Sequence, residues 1–135
     1  MNKSFLYNVL LASLFLFAIF FISCDDAITN NHIDDVVIPS SNVSYAQYIQ
    51  PVFNVKCTSS GCHDNESMAG GYSLTTWSSA VIPGIVEPFN TETSRMVWRI
   101  DGLGFPIMPP PTKGYLTANQ REGIKTWIKE GAQNN

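Results

Sequence analysis

Apolar residues fall along this chain in three patterns. The first is a run from Val9 to Ile22, interrupted only by Ser13 and preceded by the positive Lys3. It has the length of a signal-peptide core and is short for a membrane span, which needs about 20 residues. The second pattern is sparse. Asp25 to Asn42 is mostly polar, lacks helical periodicity and closes on a Pro-Ser-Ser-Asn turn cluster, which predicts a flexible tether. The third pattern is helical. Tyr45, Tyr48, Ile49, Val52 and Phe53 form one stripe at helical spacing and predict a helix from Ser44 to Phe53. Ser44 is its N-cap, and Pro51 threatens its last turn. A second helix is predicted from Thr93 to Ile100, stopped at Gly102. A third is predicted from Ala118 to Glu130, with a Thr117/Gln120 capping box, a Gly131 stop and an apolar face of Ile124, Trp127 and Ile128.

Between the helices lie loops rich in Gly and Pro, notably Gly70-Gly71 and Pro106 to Pro111, and no strand pattern or repeat is visible. The expectation is therefore an all-α domain over 44–135 with long loops. A small domain with few helices makes a thin core, so these loops need an apolar centre to pack on.

The end of the first run changes its meaning. Phe21-Ile-Ser-Cys24 resembles a bacterial lipobox, with a small Ser23 before the Cys and Phe21 where Leu is usual. On this reading 1–23 is a lipoprotein signal peptide, Cys24 is lipidated, and 24–43 is a lipidated N-terminus and acidic tether. The competing reading is an uncleaved anchor in which Cys24 is incidental. Either way the rest of the chain is expected to be exported and held at a membrane, on the periplasmic or cell-surface side. More than one acyl chain satisfies the requirement for stable anchoring.

Charge excludes one class of partner. The chain has 8 Lys+Arg against 11 Asp+Glu, a formal net charge of -3. A nucleic-acid binder normally carries a basic excess. Asp25, Asp26, Asp34 and Asp35 lie in the tether, so the domain itself is balanced. His32, alone in the tether, is assigned no role.

The chemistry concentrates in Cys57-Thr-Ser-Ser-Gly-Cys62-His63. Two thiols can add to the two vinyl groups of haem, and a His directly after the second Cys reaches the iron. The usual spacing has two residues between the Cys, whereas four stand here. Two other readings fit the motif taken alone: a Cys57–Cys62 disulfide in an oxidising compartment, and a zinc knuckle needing a fourth ligand. Of the methionines, Met68 lies close behind His63, and Met96 shares a helix with Trp98 and Ile100. Met108 sits in the stiff Phe105-Pro-Ile-Met-Pro-Pro-Pro111 segment, where a residue before Pro is held extended.

The ordered elements make the resemblance specific. Ile49-Gln-Pro-Val-Phe53 leads into the Cys motif, followed by Gly70-Gly-Tyr-Ser-Leu74 and Ser94-Arg-Met-Val-Trp-Arg-Ile100. Met108-Pro-Pro, Leu116-Thr117 and Trp127-Ile-Lys-Glu-Gly-Ala132 complete the series. Together they resemble monohaem class I c-type cytochromes, most closely the planctomycete-type cytochrome c domain. The resemblance implies a class I cytochrome c-like helical fold around one covalent haem c. It makes Cys57 and Cys62 the thioether sites, His63 the proximal ligand and Met108 the distal ligand. It also implies crossing first and last helices, with Tyr48 or Ile49 meeting Trp127.

The expected role is an electron carrier, not an enzyme, serving redox protein partners with no small-molecule substrate. A haem-bearing sensor, an accessory subunit of an exported complex, and a haem-free disulfide module are the alternatives. Arg95 and Arg99 are candidates for propionate neutralisation. Arg121, Lys125 and Lys129 form a stripe suited either to an acidic partner or simply to solvent. Trp77, Trp98 and Trp127 are expected in the core or the pocket wall.

Overall fold

The structure, a computed structural model, describes residues 32–135. The signal-peptide segment, Cys24 and the tether up to residue 31 lie outside the described residues. Among the described residues the chain is all-α, with no strand and one isolated bridge between Glu87 and Asn90.

The first predicted helix forms in two parts. A π-helical stretch, Tyr45–Ile49, runs directly into helix α1, Gln50–Lys56. Ser44 caps the start, its side chain accepting from Gln47 N. Pro51 does not end the helix, because it lies in the first turn of α1, where a missing N–H costs nothing. The Thr76/Ser79 capping box starts a short helix α2, Trp77–Ala80, too brief to show a period in the sequence. Helix α3 is Arg95–Ile100, two residues shorter than predicted at its start. The reason is Ser94, fully buried, whose hydroxyl donates to Asn90 O and accepts from Glu87 N. Helix α4 is Ala118–Lys129, with both halves of the Thr117/Gln120 capping box present.

The core gathers where the ends of the domain meet. Trp127 of α4 is fully buried and packs on Tyr45 at 5.3 Å between ring centroids and edge-on to Phe53 at 6.2 Å. Ile49, Val52, Ile124 and Ile128 fill the same core. The first and last helices therefore meet, with Tyr45 and Phe53 as the aromatic contacts on Trp127. Trp77 is partly buried against this core and donates through Nε1 to Ala132 O. Trp98 departs from expectation: it is exposed, with Nε1 donating to Glu92 O.

The largest difference from the sequence reading is the stretch before the domain. Residues 33–43 are not a free tether. Ile33, Ile38 and Val43 are buried, and the backbone between them is held by side chains of α4 and the residue after it. Ile38 N donates to Asn119 Oδ1 at 2.8 Å, and Asn119 Nδ2 donates back to Ile38 O. Buried Gln120 donates to Ile33 O and Asp34 Oδ1 while its own Oε1 caps Thr117 N. Asn42 N and Val43 N donate to the Glu130 carboxylate. Three apolar residues spaced five apart have neither helix nor strand period, so the sequence pattern does not reveal this strap.

Candidate functional site

Cys57 ends α1, its N–H still donating to Phe53 O. The four residues between the cysteines then fold into a tight turn. Cys62 N donates to Ser59 O at 2.9 Å, and Gly61 adopts a positive φ of 82° with open space around it. His63 N donates back to Cys57 O at 3.1 Å. The longer spacing therefore still returns the chain to Cys57, so both cysteines and His63 reach one cleft. Two further backbone bonds fix the far side: Ala69 N donates to Cys62 O, and Leu74 N donates to His63 O, both at 2.9 Å. The Asp64 carboxylate closes the loop by accepting from Glu66 N and Ser67 N, which holds its acid well below the usual carboxylate range, at about 2.

The cleft spans α1, the cysteine loop, α3, the Met108 loop and α4. Counted out to its mouth, its empty space is about 750 Å³. Phe53, Leu74, Ile100, Leu116 and Ile124 give it apolar walls, and Cys57, Cys62, His63, Met96 and Met108 all line it. Met108 is held there by its own N–H, which donates to Arg99 O at 2.9 Å. Met96 is buried, as expected of a helix core residue, but it also faces this cleft. Met68 is exposed and lies off the lining.

His63 is 7% exposed, and its Nδ1 is buried without a hydrogen-bond partner. Burial pushes its imidazole below the ordinary value, with the backbone of Tyr72 and Ala69 opposing. At neutral pH it is therefore uncharged, the form in which a His binds a metal. The Cys57 thiol is pushed up to about 12, chiefly by burial and then by Cys62. Neither thiol is joined in a disulfide, and that of Cys57 stays protonated at neutral pH. Among the described residues no three His, Cys, Asp or Glu side chains converge as they would around a bare metal ion. A porphyrin needs a different donor set, and this one fits it: an apolar slot, two thiols on its lining, a neutral His and a thioether.

Sequence reasoning missed part of the lining. Lys56, Arg99 and Lys113 lie on it, with no acid among the lining residues. The sequence singles out Arg99 but not Lys113, which reaches the cleft only through the 3-10 turn Pro111–Lys113 at the end of the Pro run. Lys56 is neutralised from outside by Asp34 at 2.8 Å. The stripe on α4 is less available than its spacing suggests. Lys125 pairs with Glu122 and Asp101, and Arg121 donates to Leu116 O.

Residues 60–112 match the family model described as planctomycete cytochrome C. The matched stretch includes Cys62, His63, Met96 and Met108. No curated protein and no solved structure matches the chain.

Proposed function

Because residues 60–112 match the planctomycete cytochrome C family model, we propose that this chain is a monohaem c-type cytochrome of the class I kind, carrying single electrons between extracytoplasmic redox proteins. The observation that carries the reading is the convergence of Cys57, Cys62, uncharged His63 and Met108 on one apolar cleft. Cys57 and Cys62 would hold the haem covalently, and His63 and Met108 would be its axial ligands. When bound, the haem supplies a one-electron iron couple. The apolar walls of the cleft, Phe53, Leu74, Ile100, Leu116 and Ile124, would surround that couple. Arg99 and Lys113 set positive charge on the lining.

With His63 and Met108 both bound to the iron, no position would remain there for substrate, and the protein would act as a carrier and not as an enzyme. The proposal also places the domain outside the cytoplasm, anchored through lipid on Cys24, with redox proteins as its partners. The Val9–Ile22 run and the Ser23-Cys24 junction support this part.

The test is expression of the full chain in a host that attaches c-type haem. Intact mass should exceed the polypeptide by one haem, and the haem should survive acid–acetone extraction of denatured protein. Cys62→Ala should lose most of it. Colourless protein with a Cys57–Cys62 disulfide would rule the reading out.

A second reading, a haem-bearing sensor, draws on one feature. Met108 and Pro109 also line a second, more open groove with Gly102, Ile107 and Tyr115, on which a displaced Met108 side chain could rest. Ready carbon monoxide binding by the wild type would favour it.

A further inference from the structure

We propose that Tyr72 is the positioning residue for His63, its ring face setting the plane that the imidazole presents to the haem iron. The inference rests on the cytochrome reading above. His63 and Tyr72 stack with ring centroids 4.4 Å apart and planes 25° from parallel. A metal-bound His is usually oriented by a hydrogen bond from its other ring nitrogen to a carbonyl or carboxylate. Here Nδ1 is buried with no partner at hydrogen-bonding geometry, although the backbone of Tyr72 and Ala69 lies close to the ring. Packing must therefore share in limiting rotation of the imidazole about its Cβ–Cγ bond, and Tyr72 is the aromatic face packed on it.

The chain around Tyr72 is built to hold that face still. Tyr72 lies between two backbone ties, Ala69 N to Cys62 O and Leu74 N to His63 O. These join its loop to both residues of the Cys-His pair. Gly71 N donates to Met68 O at 2.8 Å and tightens the turn that delivers the ring. Gly70 has a φ of 74°, and a Cβ there would stand 3.3 Å from the Tyr72 ring. The Gly70-Gly71-Tyr72 sequence thus supplies both the left-handed turn and the room for the ring. Tyr72 itself is partly buried against the core and lines the cleft beside His63.

The plane of an axial imidazole fixes how its π orbital overlaps the iron d orbitals, and so the g-values of low-spin ferric haem. That signature does not move with stability alone. The stack uses the ring face and not the hydroxyl, so Phe should replace Tyr and an aliphatic residue should not.

The experiment uses full-length wild type, Tyr72→Phe and Tyr72→Leu from a competent host, with haem content measured first. Electron paramagnetic resonance of the ferric forms should give wild-type g-values for Tyr72→Phe. The largest g-value should shift or split for Tyr72→Leu. Unchanged g-values in fully loaded Tyr72→Leu, or equal shifts in both variants, would overturn the proposal while leaving the cytochrome reading intact. Colourless wild type would instead remove that reading and this inference with it. If Tyr72→Leu alone fails to load, nuclear Overhauser contacts in ferrous wild type decide. Cross-peaks between Tyr72 ring and His63 imidazole protons support the stack, and their absence ends it.

Discussion

Met96 and Met108 offer two thioethers to one cleft, and they reach it by different means. Met96 is carried on α3, whereas Met108 hangs on a Pro-stiffened loop tied to Arg99 O. A neutral thioether favours reduced iron more than a second imidazole does. Met108→Ala should therefore lower the potential, remove the far-red sulfur-to-iron band and admit carbon monoxide. Met96→Ala and Met68→Ala should keep the band. Its survival in Met108→Ala together with loss in Met96→Ala would move the ligand assignment to α3. At this scale the sequence was legible where chemistry demands adjacency. Cys57, Cys62 and His63 stand close in the chain and the structure keeps them on one cleft, so their spacing carries the message. Tyr72 and Lys113 acquire their places through loop geometry: Gly70-Gly71 marks a turn before Tyr72 but not the His63 ring it meets, and nothing local marks Lys113.

Helices were legible in proportion to their length and caps. Helix α4 shows a capping box, a Gly stop and an apolar face, and it forms where those signals put it. Removing the cap by Thr117→Ala should cost about 1 kcal/mol in chemical denaturation. Helix α3 starts late because Ser94 spends its hydroxyl on the preceding loop, a tertiary choice that a periodic stripe does not record. The strap contact at Gly123 is a sharper test of element packing. A Cβ there would meet Ile38 Cγ2 at 2.6 Å. In a helix interior Ala is favoured over Gly by about 1 kcal/mol, so a freely exposed site would gain from the change. Overpacking should dominate instead, and Gly123→Ala should destabilise by about 1–3 kcal/mol. The loss should shrink in an Ile38→Ala background, which a double-mutant cycle of denaturation midpoints would read. A gain in the wild-type background would mean that the strap is not seated there.

Across the whole molecule, the domain is closed by contacts between its two ends and by an ion pair that reaches the cleft wall. Asp34 accepts from Lys56 and Gln120, and the Lys56 hydrogen bond is the main reason its acid lies below the ordinary 3.8. A carboxyl depressed by folding stabilises fully above its unfolded value and loses that contribution as pH falls through the lower folded value. The difference in melting temperature between wild type and Asp34→Asn should thus be constant near neutrality. It should close only below the ordinary carboxylate range, and salt should shrink it because Asp34 is half exposed. A gap that widened on acidification would contradict the pairing. The all-α class was readable because the helical stripes were uninterrupted by any alternating run. The strap was not, because its buried residues contact α4 more than eighty positions away, as in the bond from Ile38 to Asn119.

That strap has a consequence for reach on the anchored reading. With 24–43 wholly free, the domain would begin 20 residues beyond Cys24 (44 − 24), a leash of at most roughly 70 Å. The docked stretch reaches back at least to Ile33, nine residues on (33 − 24), which limits the leash to at most roughly 30 Å. The volume the haem domain can sweep falls with the cube of that length, by roughly tenfold. Donor and acceptor are then restricted to proteins lying close over the same bilayer face, and each meets the domain at a correspondingly higher effective concentration. Adding Gly-Ser residues before His32 should slow exchange with a membrane-bound donor, while pulling the strap away should not be needed to reach it.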